Sequence, residues 1–242
     1  MNKASGELVK SLKKQKRENH FLLFLDNQKI ISDAIAQGAS PVLALCSDES
    51  LAPNINCPIY LTSQSVIESL SDVKTPRGVV VMLEYPQNVV VLCPKGDFLV
   101  LDGLQDPGNV GSLIRSALAF NMECVFLVDS VHPTNSKVVR SSVGAIFNIP
   151  IYSMSKNEFI KYAQKNSLKL AKADMQGENI FDYEFKSSLG IVVGNEGNGV
   201  SEEISNICSV NLSIPMNKKL ESLNAAVSGS IIMAQATAKR SK

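Results

Sequence analysis

The chain has only two histidines, His20 and His132, five scattered cysteines without a Cys-x-x-Cys pair, and no clustered carboxylates. Zinc and two-metal sites draw on such residues in close groups, so no resident metal is expected. Cys46, Cys57, Cys93, Cys124 and Cys208 mostly sit in apolar, strand-like runs, the setting of buried free thiols. Long apolar runs are missing too. The longest, such as Gly78-Val-Val-Val-Met-Leu83, have the length of a buried strand and fall far short of the roughly 20 residues of a membrane helix. The apolar stretch 21–25 behind the basic N-terminal region is closed at once by Asp26, too early for a signal-peptide core. A cytoplasmic protein with no membrane partner is the expectation. A net charge of +1 argues against a protein that coats nucleic acid over its whole surface.

Charge is nevertheless unevenly placed. Lys10, Lys13, Lys14, Lys16 and Arg17 form a dense basic segment, readable as a solvated helix face or as an arm that contacts phosphates. With 242 residues, 45% of them hydrophobic, the chain can build one large core or two modest ones. Apolar periodicity predicts a helix over 5–17, a strand over 21–25 and a helix over 27–37 with Ile30, Ile31, Ala34 and Ile35 on one face. Strands over 42–46, 58–61 and 79–83 follow, with a helix over 65–70. Breaker residues at 84–88 and 94–96 suit a linker, which places one α/β domain at 1–88 and a second at 97–242. In the second, strands at 98–101, 124–128, 150–152, 169–173, 191–193 and 210–214 alternate with helices at 110–120, 136–147, 158–165, 201–207 and 223–238. Such alternation predicts a mostly parallel sheet covered on both faces, with ligands at the carboxyl ends of its strands.

Three stretches of the second domain fall at those ends. Asp106-Pro-Gly-Asn-Val-Gly-Ser-Leu-Ile-Arg115 opens a helix after a strand; its Pro and Gly residues suit a tight turn, and Asn109 and Arg115 lie near the same helix end. Gly194-Asn-Glu-Gly-Asn-Gly199 ends a buried strand. Its order, G-x-x-G-x-G, differs from the dinucleotide fingerprint G-x-G-x-x-G, and no acidic residue sits at the end of a following strand to take a ribose hydroxyl, which disfavours a nucleotide-dependent oxidoreductase. Ile214-Pro-Met216 and then Glu221-Ser-Leu-Asn224 lead from a strand through a polar loop into a helix of small residues. Alone, each also reads as an ordinary turn or cap.

In this order and spacing the three stretches resemble the signature motifs of the SpoU (TrmH) branch of the SPOUT methyltransferases, and the resemblance covers about 97–238. It implies transfer of a methyl group from S-adenosyl-L-methionine to an RNA ribose 2′-OH, with ribosomal RNA the preferred substrate. It also implies a deep C-terminal trefoil knot and a homodimer in which each site is completed by the partner. By the same resemblance Gly194, Glu196, Gly199, Ile214, Met216, Leu223 and Asn224 would hold the cofactor, Gly194 lying against its adenosine. Arg115, Asn109, Glu196, Ser222 and Asn224 would act on the reacting groups, with Asn109 organising the RNA or the subunit interface. Because a guanidinium does not give up its proton near neutrality, Arg115 is expected to clamp the nascent alkoxide or a phosphate rather than to serve as base. The family's Phe-Gly is Phe120-Asn121 here, and Asn tolerates the left-handed conformation that position needs. Residues 1–88 resemble the ribosomal-protein-like module that precedes many SpoU domains, including Thr75-Pro-Arg-Gly-Val79, but depart from its pattern around Phe24-Leu-Asp-Asn-Gln28. The alternative from another class is a catalytically silent, knotted RNA-binding protein.

Overall fold

A computed structural model describes residues 1–19, 21–73, 75–86, 93–217 and 219–240; His20 and residues 87–88 of the expected linker lie outside them. The chain divides into two compact units, Met1–Gln87 with Thr134–Ser136, and Asn88–Pro133 with Lys137–Lys242.

The first unit contains β1 (Asn2–Lys3), α1 (Gly6–Glu18), β2 (Leu22–Leu25), α2 (Gln28–Ala36), β3 (Ser40–Cys46), β4 (Ile59–Leu61), α3 (Gln64–Leu70) and β5 (Val79–Glu84). Its sheet runs β1-β4-β3-β5-β2 and is mixed: β4 pairs in parallel with β1 and β3, whereas β5 is antiparallel to β3 and β2. The Ser5 hydroxyl caps α1 by accepting from Leu8 N–H at 3.1 Å, and buried Leu12 packs with Leu45, Ile67 and Leu70. That orientation leaves Lys10, Lys13, Lys14 and Arg17, spaced i, i+3, i+4, i+7, exposed along one face. Lys16 departs from the expected phosphate-contacting set. Its ammonium donates to the Leu70 carbonyl at 2.6 Å and pairs with Asp72 at 2.9 Å, tying α1 to the end of α3.

The second unit contains β6 (Phe98–Asp102), α4 (Pro107–Ala119), β7 (Val125–Val128), α5 (Ser136–Ser142), β8 (Ile151–Met154), α6 (Lys156–Lys165), β9 (Leu170–Asn179), β10 (Gly190–Gly194), α7 (Glu202–Ser205), β11 (Val210–Ser213) and α8 (Ala225–Arg240). All five strand pairings of its sheet, ordered β11-β9-β10-β6-β7-β8, are parallel. Strands of such a sheet are buried on both faces, and β6, β7 and nearly all of β10 read as continuous apolar runs for that reason. Phe126 anchors one side of the sheet, edge-on to Phe98 at 5.7 Å and within 5.6 Å of the rings of Tyr152, Phe159 and Tyr162.

Two expected elements differ. The helix predicted over 136–147 stops at Ser142, because Val143 (φ 52°) and Gly144 (φ 85°) are both left-handed; a short 3₁₀ turn, Ala145–Phe147, follows. The strand predicted over 169–173 continues to Asn179; β11 pairs with Ala171 and Lys172 and again with Glu178 and Asn179, across an irregularity at Asn211/Leu212. The expected left-handed helix end is present: Asn121 has φ 55°.

Strand order reverses between β6 and β10. From β6 the chain proceeds through β7 and β8 to one edge, then returns to lay down β9, β10 and β11 on the other side. The carboxyl ends of β6 and β10 therefore flank a topological switch point, where open α/β sheets form their binding crevice.

Candidate active site

The loop after β10 is fixed by one residue. Asn195 exchanges backbone hydrogen bonds with Gly199 at 2.9 and 2.8 Å, its side-chain oxygen accepts from Gly197 and Asn198 N–H, and its side-chain nitrogen donates to the Gly103 carbonyl at 2.9 Å. That last bond ties the loop to the end of β6, across the switch point. Gly194 is required by the loop itself: a Cβ there would lie 2.2 Å from backbone atoms of Gly199 and Val200. The space a side chain would need is thus filled by its own chain, while Gly194 itself lines the cavity described below. Gly199 has φ +70° and nothing within 4 Å of its Cβ position, so it both permits the turn and leaves open space. Below the loop, buried Asp102 accepts from Ser201 N–H at 2.6 Å.

Two helices start at this loop. Asp106 caps α4 by accepting from Asn109 N–H, a bond that holds its carboxyl below the usual range, and Pro107 follows in the first turn. Gly111 lets α4 approach α5, since a Cβ there would strike Ser141 Oγ and the Val138 carbonyl. Asn224 caps α8, accepting from Ala226 and Val227 N–H at 2.9 and 3.2 Å. Asn109 joins these parts: its Nδ2 donates to Glu196 Oε1 at 2.7 Å, and its Oδ1 accepts from Asn224 Nδ2 at 3.0 Å. Asn109 therefore bridges the three motif stretches within one chain, where the family reading gave it to the RNA or the interface. Glu196 thus meets the first turn of α4 through the Asn109 amide, and α8 joins it one residue further through Asn224.

Beside this latch lies a cavity of about 660 Å³. Ser222 and every expected cofactor residue, Gly194, Glu196, Gly199, Ile214, Met216, Leu223 and Asn224, line it, with apolar walls from Val193, Leu212 and Ile232. Among the described residues its charged lining is Asp174, Glu196, Glu221 and Lys172. Arg115 is not among the lining residues; it is exposed on α4. Asn195, Asp102 and the pair Lys172–Asp174 were not anticipated. Asn195 had a signal, since Asn before Gly favours a side-chain-closed turn.

An all-parallel, doubly wound sheet with a cavity of this size lined by β9, by the ends of β10 and β11 and by α8 defines an α/β protein with a small-molecule site, the usual range being about 300–1,000 Å³. More narrowly, the chain belongs to the SpoU rRNA Methylase family, whose model matches residues 97–234. The Bacillus subtilis protein named 23S rRNA (guanosine(2553)-2′-O)-methyltransferase RlmP is 27% identical over 228 residues, covering 91% of this chain and 90% of that one. Among solved structures, the SpoU methyltransferase AviRb from Streptomyces viridochromogenes, in complex with AdoMet, matches with a TM-score of 0.87 and 22% identity over 99% of both chains. The AdoMet-bound rRNA methyltransferase from Sinorhizobium meliloti matches with a TM-score of 0.85 and 21% identity over 98% of this chain and 96% of that one. At these identities the structural likeness is one of fold.

The residues present fit S-adenosylmethionine, the group the family implies. The cavity has the volume, open space beside Gly199, apolar walls for an adenine, and an excess of carboxylates suited to a sulfonium cation.

Proposed function

We propose that this protein is an S-adenosylmethionine-dependent RNA ribose 2′-O-methyltransferase acting in the cytoplasm on ribosomal RNA. The observation that carries the proposal is the Asn109 latch, which holds residues of all three motifs around one cavity. When bound, the cofactor supplies an electrophilic methyl group. The chain's own task is to align a ribose hydroxyl with it and to lower the cost of the developing alkoxide. Ser222 and Asn224, exposed on the cavity wall, are suited to orient the hydroxyl. Arg115 acts as a guanidinium clamp on the alkoxide or an adjacent phosphate, with the proton leaving through phosphate or water.

Arg115 faces solvent outside the cavity of its own chain, so the reading includes a homodimer in which a second copy supplies it. Leu118, one turn further along α4, and Val227 on α8 are apolar and exposed, which suits such a pairing. The family's trefoil knot belongs to the same reading: after β11 at the sheet edge, α8 returns to pack on α4 and on β10 in the middle of the sheet. The unit within residues 1–88 selects the RNA, through the Lys10, Lys13, Lys14 and Arg17 face.

The test incubates the purified protein with methyl-labelled cofactor and with ribosomal RNA from cells lacking it, then maps ribose methylation. Label in a 2′-O-methyl nucleoside is expected. Cofactor binding without transfer to any ribosomal or transfer RNA would instead favour the silent RNA-binding protein. An Arg115→Lys enzyme with near-normal rate and pH profile would refute the guanidinium role, and a monomer by sedimentation at assay concentration would remove the shared site.

A further inference from the structure

The motif loop's own carboxylate, Glu196, is engaged by Asn109, and the adjoining strand brings a second carboxylate to the cavity. We infer that Asp174, held in place by Lys172, is the subsite for the ribose 2′,3′-diol of the cofactor, an inference that rests on the cofactor reading above.

Asp174 lies on β9, the strand that pairs directly with the motif strand β10 through Lys172 and Val192. In doubly wound sheets, a carboxylate at the end of the strand neighbouring the glycine loop is the group that takes ribose hydroxyls. Here the corresponding carboxylate, Asp174, sits two residues past the last β9 residue paired with β10, and it comes before the glycine loop in the chain, so its order hides it while the topology restores it. Asp174 lines the cavity with its side chain about one-third open.

Its two oxygens are each half-used. Oδ1 accepts Gln176 N–H at 3.0 Å and Oδ2 faces the Lys172 ammonium at 3.0 Å. An ionised carboxylate is a pure acceptor with two lone-pair sites on each oxygen, so one remains on each for two adjacent hydroxyls. The Gln176 N–H and the Lys172 ammonium also hold the group below the usual carboxylate range, which keeps it ionised. Lys172 is itself fixed, donating to Ser205 Oγ on α7 at 2.8 Å. Of the other carboxylates in the lining, Glu196 sits in the Asn109 latch and Glu221 on the loop after β11, whereas Asp174 stands on the strand beside β10.

The experiment is calorimetric titration of the full chain with S-adenosylhomocysteine and with its 2′,3′-dideoxyribose analogue. Wild-type protein is expected to bind the analogue about ten- to a hundredfold more weakly, the range for losing hydrogen bonds to a charged group. Asp174→Ala should weaken S-adenosylhomocysteine by a similar factor and leave the analogue nearly unchanged. Equal affinity of the wild type for both ligands overturns the subsite without any variant, while leaving the methyltransferase reading intact. So does an Asp174→Ala protein, folded by circular dichroism, that loses both ligands equally or neither. Should Asp174→Ala fail to fold, Asp174→Asn, which keeps the acceptor for Gln176, must show the same selective loss. Failure of the wild type to bind S-adenosylhomocysteine at all refutes the cofactor reading and the subsite together.

Discussion

Replacing Asn109 by Ala removes two hydrogen bonds at once and tests whether the three motif stretches act as one body. The bond to Asn224 joins neutral groups and is worth about 0.5–1.5 kcal/mol. The bond to Glu196 is charge-assisted, about 1.5–3 kcal/mol when buried, but Glu196 is exposed, so solvent screening brings it to about 1 kcal/mol. Against this, Ala at a helical position returns up to about 0.7 kcal/mol of local propensity. The net loss is about 1.5 kcal/mol, and because both partners stand on cavity walls it should weaken S-adenosylhomocysteine binding about tenfold. The assay is a double-mutant cycle: Asn109→Ala and Glu196→Ala, singly and together, read by melting temperature and by calorimetric affinity. A coupling of at least about 0.5 kcal/mol is expected in one of the two readouts. Additivity within about 0.3 kcal/mol in both would mean that the latch holds nothing together, and the reasoning would be refuted.

Gly194→Ala should cost about 1–3 kcal/mol by overpacking, because the clashing atoms are backbone and cannot rotate away; a melt and a titration check whether ligand binding is lost with it. Arg240→Ala leaves the Asp97 carboxylate, 7% exposed, without a cation and accepting from Leu189 N–H, where wild type holds a two-pronged ion pair at 2.5 and 2.7 Å. Breaking a buried pair of this kind costs about 3 kcal/mol, a fall of roughly 6–12 °C in melting temperature by calorimetry. Burial pushes the Cys124 thiol up to about 12 and Cys208 up to about 11, so both stay protonated near neutrality. Alkylation at pH near 8, read by mass spectrometry, should therefore modify exposed Cys93 and spare Cys124 and Cys208 until urea is added. The sign is that of an acid raised on folding: these thiols contribute stability in full below about 9, and it is lost as pH climbs through their folded values.

The parallel sheet was legible because strands such as β6, β7 and β10 are short apolar runs, most of them separated by helical repeats, and the cavity because much of its wall is motif residues. What escaped prediction depends on contacts distant in the chain. Nothing before Gly144 signals that the helix over 136–147 breaks at Val143, a β-branched residue in a conformation it rarely adopts. The far half of β9, Asp174-Met-Gln-Gly-Glu178, is mostly polar; β11 pairs with Glu178 and Asn179 at its end, and Gly177 lies so close to the Asn211 backbone that a Cβ would be 2.4 Å away. Lys16 looked like its basic neighbours until Asp72 and the Leu70 carbonyl came into reach. At Gly194 the sequence marks where a side chain is forbidden but not that the forbidding atoms are the backbone of Gly199 and Val200.

The position of α8 has a consequence for the order in which the molecule can be built. Every strand of the parallel sheet is synthesised before it, yet Gly229 of α8 packs against Leu113 of α4 and Val193 of β10, and Asn224 at its start is part of the latch. A growing chain stopped short of α8 would hold six strands with an uncovered apolar face at Leu113 and Val193, and a cavity missing one wall. Such a nascent chain is exposed to aggregation in the interval before α8 emerges, so slowing translation just ahead of residue 225 should lower the yield of folded protein.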